Sequence, residues 1–156
     1  MAHALVPAEI ADHTTCLLLR LGQVTYKLTE EALAPFGLRT RHYTVLKALN
    51  ASGPDGQHAL GTRLRIDPAT MVSVVDDLES LSCAERNRDP LDRRRVLVSI
   101  TDKGRDLIGR ADTALVELND TLLVELTGGQ RGALHEILAT LCSGETMPAA
   151  FDQLRG

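Results

Sequence analysis

One stretch constrains this chain more than any other: residues 66–101, IDPATMVSVVDDLESLSCAERNRDPLDRRRVLVSIT. Asp67 suits a helix N-cap and Pro68 the first helical position, where a missing N–H costs nothing. Met71, Val74, Val75, Leu78 and Leu81 recur at helical spacing, which predicts a helix over 68–81 with one apolar face. Ser82 breaks the pattern. Ala84–Arg88 and Val96–Ile100 read as two short strands, the second rich in β-branched residues. Between them, DPLDRRR makes a turn that ends in three consecutive arginines. A short helix beside a basic hairpin has the shape of a groove-reading unit with phosphate contacts.

The flanks are helical. Ile10, Leu17, Leu21, Val24, Leu28 and Leu33 predict one long helix over 8–34, after a loose tail at residues 1–7, and Pro35-Phe36-Gly37 stops it. Thr40 can cap a second helix, 41–50, with Tyr43, Val45, Leu46 and Leu49 inward. Ser52–Gly56 reads as a plain loop, 57–64 as a short helix, and Arg65-Ile66 as the tight turn of a helix-turn-helix. Thr101 caps a helix over 102–126 whose leucines come close to a heptad. Thr127 and Gln130 have capping-box spacing for a last helix to about Cys142, followed by a tail at 147–156. The expected fold is mainly α: one domain, 1–156, with a winged helix-turn-helix at 40–101 and a two-stranded β-wing. The apolar stripes of 8–34 and 102–142 are wider than one 156-residue chain can cover, so they are expected to build a homodimer. Two winged units side by side would read a pseudo-palindromic site.

Composition narrows the function. A net charge of −4 rules out a generally basic nucleic-acid binder but leaves room for a local patch. With 3% aromatics and no Trp, a base-stacking surface for single strands is not expected. The three cysteines (Cys16, Cys83, Cys142) lie far apart, so neither a disulfide framework nor a CxxC zinc site follows. Neither a leader-like segment nor a bilayer-spanning apolar run is visible, and the cytoplasm is the expected location. Without P-loop, GxGxxG, GxSxG or HExxH, neither an enzyme nor a cofactor is expected.

The chain resembles the multiple-antibiotic-resistance regulator (MarR) family. The likeness rests on Asp89-Pro90-Leu91-Asp92-Arg93-Arg94, then Val96–Thr101 and the Asp102-Lys103-Gly104 helix start, and the order of elements follows the family over 8–142. The resemblance implies a homodimeric winged-helix transcriptional regulator. Its helix at 68–81 would enter the major groove, Arg94 would reach the minor groove, and Asp92 would hold the wing. It also implies a small, often phenolic, effector bound between the dimer region and the winged unit, or oxidant sensing through a cysteine. There are departures. Ser73 and Asp77 stand where arginine is frequent, Arg65 and Ser82 where glycine is usual, and Gly61 where alanine is usual. Residues 67–81 carry four acids (Asp67, Asp76, Asp77, Glu79) and no Lys or Arg.

The expected DNA contacts are therefore Arg86, Arg88, Arg93, Arg94 and Arg95 on the wing and Ala69, Thr70 and Ser73 on the helix, with Arg63 and Arg65, or Arg39 and Arg41, as phosphate anchors. Expected effector contacts are Arg20, His42 and Tyr43, with His13 and Cys16, one helical turn apart, as a further candidate pair. That pair alone cannot complete a metal site. Cys83 and Cys142 read as packing residues. The partners are double-stranded DNA, a second copy of the chain and a small-molecule effector, with no membrane. Two alternatives stay open: an oxidant-sensing repressor using Cys16, and a winged-helix protein-interaction module without DNA binding.

Overall fold

A computed structural model describes residues 4–154, so the outermost parts of both expected tails lie outside the described residues. The order is α1 (Ala8–Ala11), α2 (Thr14–Leu33), a 3₁₀ turn (Ala34–Phe36), α3 (Thr40–Ser52), β1 (Asp55–Gly56), α4 (Gln57–Leu64), α5 (Pro68–Ser80), β2 (Ala84–Arg88), β3 (Val96–Ile100), α6 (Asp102–Leu122), α7 (Gly128–Ser143) and α8 (Thr146–Gln153). The chain forms two compact units, one ending at Leu118 and one beginning at Asn119. Among the described residues, no helix is long and apolar enough to cross a membrane.

In the first unit, the core draws mostly on residues at the expected helical and strand positions and adds Leu38, whereas Ile10, Leu17 and Leu21 of the expected first stripe are exposed. Leu33, Leu38, Val45, Leu46, Leu49, Leu60, Met71, Val75, Leu78, Val98, Ile108 and Ala111 are all buried. Each large apolar side chain so buried contributes on the order of 1.5–3 kcal/mol. The N-cap of α5 is as expected: the Asp67 carboxylate accepts the Thr70 N–H at 2.8 Å, with Pro68 at the first helical position.

The wing has three strands rather than two, in the order β1-β3-β2, all antiparallel. Ala84 faces Ile100, Arg86 faces Val98 and Arg88 faces Val96, while Asp55 and Gly56 pair with Val98 and Leu97. The expected loop at 52–56 thus contains a strand. Two residues without a β-branched side chain carry no strand signal, and β1 exists because β3 offers it a free edge.

Other boundaries also moved. The expected 8–34 helix breaks at Asp12-His13, where His13 is extended (φ −93°, ψ 109°) as the N-cap of α2. The run Asp-His-Thr-Thr is poor helix material. Thr40 is not the cap of α3 but its first residue. Its N–H (2.8 Å) and hydroxyl both donate to the Glu30 carboxylate, which ties α3 to α2. Burial pushes the Glu30 carboxyl up, but those bonds and the Arg39 guanidinium nearby outweigh it and hold Glu30 below its ordinary value.

Arg65 (φ 55°) and Ser82 (φ 58°) are the non-glycine residues with left-handed backbone among the described residues, at the two places where the resemblance implies glycine. That conformation costs a residue bearing a Cβ about 1 kcal/mol, part of which glycine's greater unfolded-state freedom would offset. Ser82→Gly is expected to stabilise the fold by about 0.5 kcal/mol. The check is the urea midpoint: an unchanged or lower midpoint would mean that Ser82 carries no strain.

In the second unit, Thr127 and Gln130 form the expected capping box (Thr127 N–H to Gln130 Oε1 2.9 Å; Gln130 N–H to Thr127 Oγ1 3.3 Å). Helix α6 ends at Leu122, four residues earlier than its heptad pattern predicts. Arg131 reaches back to Asp120 (3.0 Å) and to the Leu126 carbonyl (3.3 Å), which fixes the turn between α6 and α7. The expected C-terminal tail contains α8, eight residues long. Cys142 is exposed rather than packed, whereas Cys83 is buried and its thiol is pushed up by that burial.

Candidate nucleic-acid interface and effector cleft

The tip of the wing is closed by its two aspartates. Asp89 is buried; its N–H donates to the Arg95 carbonyl at 3.0 Å and its Oδ1 accepts the Leu91 N–H at 2.9 Å. Asp92 Oδ1 accepts the Arg94 N–H at 3.1 Å and its carbonyl accepts the Arg95 N–H at 2.9 Å. Both carboxylates accept backbone N–H groups of the turn, Asp89 from inside. Arg93 and Arg94 stand exposed on the resulting turn, and neither guanidinium pairs with another described residue. Arg95 is exposed beside Asp89 at 3.7 Å, and Arg88 donates across the tip to the Arg93 carbonyl at 3.2 Å.

Arg86 is placed otherwise. Its side chain is turned into the fold, where it pairs with Asp76 (2.7 Å) and Glu79 on α5 and donates to Gln57 Oε1 on α4 (2.8 and 3.2 Å). Arg86 therefore serves as a clamp between wing and helix instead of an outward contact. Acids on α5 are what draw it inward, and neither spacing nor composition pairs them with it. Arg63 is likewise engaged, with Asp55 (3.2 Å) and Ser52 (3.0 Å), linking α4 to β1. Arg65 forms the left-handed corner of the helix-turn-helix.

This resolves the acid-rich helix. Asp67 caps α5, Asp76 and Glu79 hold Arg86, and Asp77 Oδ2 lies 3.1 Å from His42 Nε2 on α3. Three of the four acids thus fix the helix to its surroundings, and Asp67 closes its N-terminus. Ala69, Thr70 and Ser73 remain at its accessible surface, Thr70 half-buried.

A cleft of about 430 Å³ opens between α2, the start of α3 and α5, lined by Tyr26, Glu30, Arg39, Arg41, His42, Thr70, Ser73, Val74 and Asp77. His42 is buried in its wall. Its Nδ1 accepts the Arg39 N–H at 3.0 Å, which leaves Nε2 as the protonated nitrogen of the neutral ring, donating to Asp77. Of the expected effector residues, only His42 is at this cleft. Arg20 lies on a neighbouring groove of about 420 Å³ along α2 with Gln23, Val24, Tyr26 and Lys27. Tyr43 points instead to α6, donating to Asp112 Oδ1 at 2.6 Å while Lys47 holds Oδ2 at 2.9 Å. Burial and the Asp112 carboxylate push the Tyr43 hydroxyl up to about 12. Tyr43 turned away because α6, distant in sequence, supplies its acceptor. His13 is exposed and Cys16 half-buried at the start of α2, outside the cleft. The sequence did not single out Tyr26 and Glu30, one turn apart on α2, or Asp77 on α5, because only the fold brings α2 and α5 to one cleft.

The MarR family model matches residues 36–95, from the end of the 3₁₀ turn to the last wing arginine. A probable transcriptional regulator from Pseudomonas aeruginosa is 30% identical with a TM-score of 0.74, covering 85% of this chain and 98% of its own. The chain belongs to the MarR family. The chain is also similar to the transcriptional repressor CouR, solved bound to a 23-mer DNA duplex (29% identical, TM-score 0.79, 90% of this chain and 99% of that one). CouR from Rhodococcus jostii RHA1 has also been solved bound to p-coumaroyl-CoA (26% identical, TM-score 0.73, 92% and 98%). The HTH-type transcriptional repressor NicR from Pseudomonas putida is 23% identical over 139 residues, 89% of this chain and 88% of that one. MarR membership makes this chain a transcriptional regulator, and the winged helix-turn-helix of the family is the architecture seen in the first unit.

Proposed function

We propose that this MarR-type regulator is a homodimeric repressor that binds a pseudo-palindromic operator and is released by a small aromatic ligand. The observation that carries the reading is the wing: Arg93 and Arg94 project from a turn fixed by Asp89 and Asp92, and neither is committed to another described residue. An arginine so presented can enter a narrow minor groove, and the recognition helix can read bases through Ala69, Thr70 and Ser73. CouR, of the same fold, has been solved on DNA. Having no cation of its own, α5 contributes less to affinity than the wing does.

Exposed apolar side chains support the dimer. Leu19 and Leu21 on α2 are 64% and 54% exposed; on α7, Ile137 is 59% exposed and no residue is buried. A second copy would cover such faces. On this reading the two compact units act as one MarR-type domain. The 430 Å³ cleft has the size of a small-molecule site, and its guanidiniums Arg39 and Arg41 suit an acidic or phenolic ligand. CouR has been solved with an aromatic acyl ligand.

The test is fluorescence anisotropy on the gene's own upstream region at several salt concentrations. Wild type is expected to bind, more tightly at low salt. Arg94→Ala is expected to weaken binding and flatten the slope of log K against log salt by roughly 0.9 for each phosphate that Arg94 neutralises. An Arg94→Ala protein that binds as tightly as wild type would remove the wing from the mechanism. Failure of wild type to bind at low salt would favour a protein-interaction module.

A further inference from the structure

Helix α5 shows two flanks of different chemistry. Thr70, Ser73 and Asp77, at helical spacing, line the cleft. Val72, Asp76 and Glu79 stand at the same kind of spacing on the other flank, where Asp76 and Glu79 hold Arg86 of the wing. Ala69 lies between the two flanks, exposed. Val72 is 43% exposed, whereas Met71, Val74, Val75 and Leu78 of the same helix are buried. Over residues 40–100, the exposed large apolar side chains are Val72, Leu91 and Val96: one on α5 and two on the wing hairpin. A β-branched side chain at an exposed helix position gains nothing from burial and lowers helix propensity. Its place is explained by what docks on that face.

We propose that Val72 is the specificity-determining side chain of the recognition helix and that it reads the C5-methyl group of thymine. This rests on the reading of the chain as an operator-binding repressor. The first turns of such a helix meet the base edges in the major groove. Here they offer the Ala69 methyl, the Val72 isopropyl group and the Ser73 hydroxyl, and no Lys or Arg. The bidentate contact to guanine is therefore closed to α5. The Asp76 carboxylate, 59% exposed one turn further on, is repelled by the O6 and N7 acceptors of a guanine as well. A thymine–adenine pair complements this surface. Thymine is the base that carries a methyl in the major groove, and adenine presents an N6 donor and an N7 acceptor within the repertoire of a serine hydroxyl. Ala69, one turn before Val72, is small enough to let the base edge approach.

The test uses the thymine methyl itself as the probe. A fragment of the gene's own upstream region is made once with thymine and once with deoxyuridine throughout. The exchange deletes every C5-methyl and leaves the hydrogen-bonding edges and the phosphates in place. Binding of wild type and Val72→Ala is read by anisotropy at several salt concentrations. Burying one methyl is worth about fourfold in affinity, so over two half-sites wild type should bind the deoxyuridine fragment roughly fifteenfold more weakly. Val72→Ala should bind the thymine fragment more weakly than wild type by a similar factor, and should bind the two fragments alike. Its salt slope should match that of wild type, because no phosphate contact is lost. Its urea midpoint should not fall, because the position is exposed and alanine is the better helix former. The loss of discrimination is the decisive readout: a valine that merely supported the helix would leave the thymine-to-deoxyuridine ratio as in wild type. Wild type binding both fragments alike, or Val72→Ala keeping the wild-type ratio, would overturn the assignment and leave the repressor reading intact. Failure of wild type to bind either fragment at low salt would sink the repressor reading and the assignment together.

Discussion

Gly104→Ala is expected to cost about 3 kcal/mol of stability, the upper end of what overpacking does. A Cβ at this position would lie 2.2 Å from the Cys83 carbonyl oxygen and 2.8 Å from Ile100 Cγ1. Backbone cannot yield as the end of a side chain can. The Cys83 carbonyl is also the acceptor for the Thr101 N–H at 3.0 Å, and Thr101 Oγ1 both donates to the Ser82 carbonyl (2.8 Å) and accepts the Gly104 N–H (3.0 Å). Relief of the clash must therefore open the junction where the end of α5, β3 and α6 meet. Helix propensity alone would favour alanine by about 1 kcal/mol, so the sign of the result decides between local and tertiary effects. Gly109 on the same helix has nothing within 4 Å of its Cβ position. Gly109→Ala should stabilise by up to about 1 kcal/mol, which makes it the internal control. Both changes are read from urea unfolding followed by circular dichroism. A cost below about 1 kcal/mol for Gly104→Ala would mean that α6 is not seated as described.

Arg86→Ala is expected to cost about 2 kcal/mol, in the range for charge-assisted hydrogen bonds to part-buried groups. Its side chain is 25% exposed and Glu79 35%, so that pair carries most of the loss. Asp76, at 59%, is largely solvated and adds little. Glu79 also accepts the Arg86 N–H at 2.9 Å, so the carboxylate fixes both the backbone and the side chain of β2. Lysine would not restore the clamp, because one guanidinium serves Asp76, Glu79 and Gln57 through a planar fork that an ammonium lacks. Operator affinity should fall in Arg86→Ala without a change in salt slope, since Arg86 acts through the seating of the wing and not on a phosphate. A flatter salt slope with full stability would return Arg86 to the phosphate-contacting group. The contrast with Arg94→Ala, which should flatten the slope and leave stability unchanged, separates the two kinds of wing arginine.

Local chemistry determined a good deal of this protein. The cap at Asp67, the apolar faces of α3 and α5, the two long wing strands and the capping box at Thr127 follow from short-range rules, and all stand where those rules put them. The arginine-tipped turn between the strands was equally legible, since Asp-Pro and a run of like charges have few other uses. What only the tertiary structure decided concerns charged groups that choose among distant partners. Arg86 and Arg94 are eight residues apart on one hairpin and look alike in a sequence, yet one is drawn in by Asp76 and Glu79 and the other stays outside. Tyr43 turned to Asp112, His42 turned to Asp77, and Asp55-Gly56 became a strand because Leu97 and Val98 offered it a ladder. Periodicity reports which face of an element is apolar. It is silent on pairing across tens of residues, because an ion pair or a strand edge is satisfied by whatever the fold brings near.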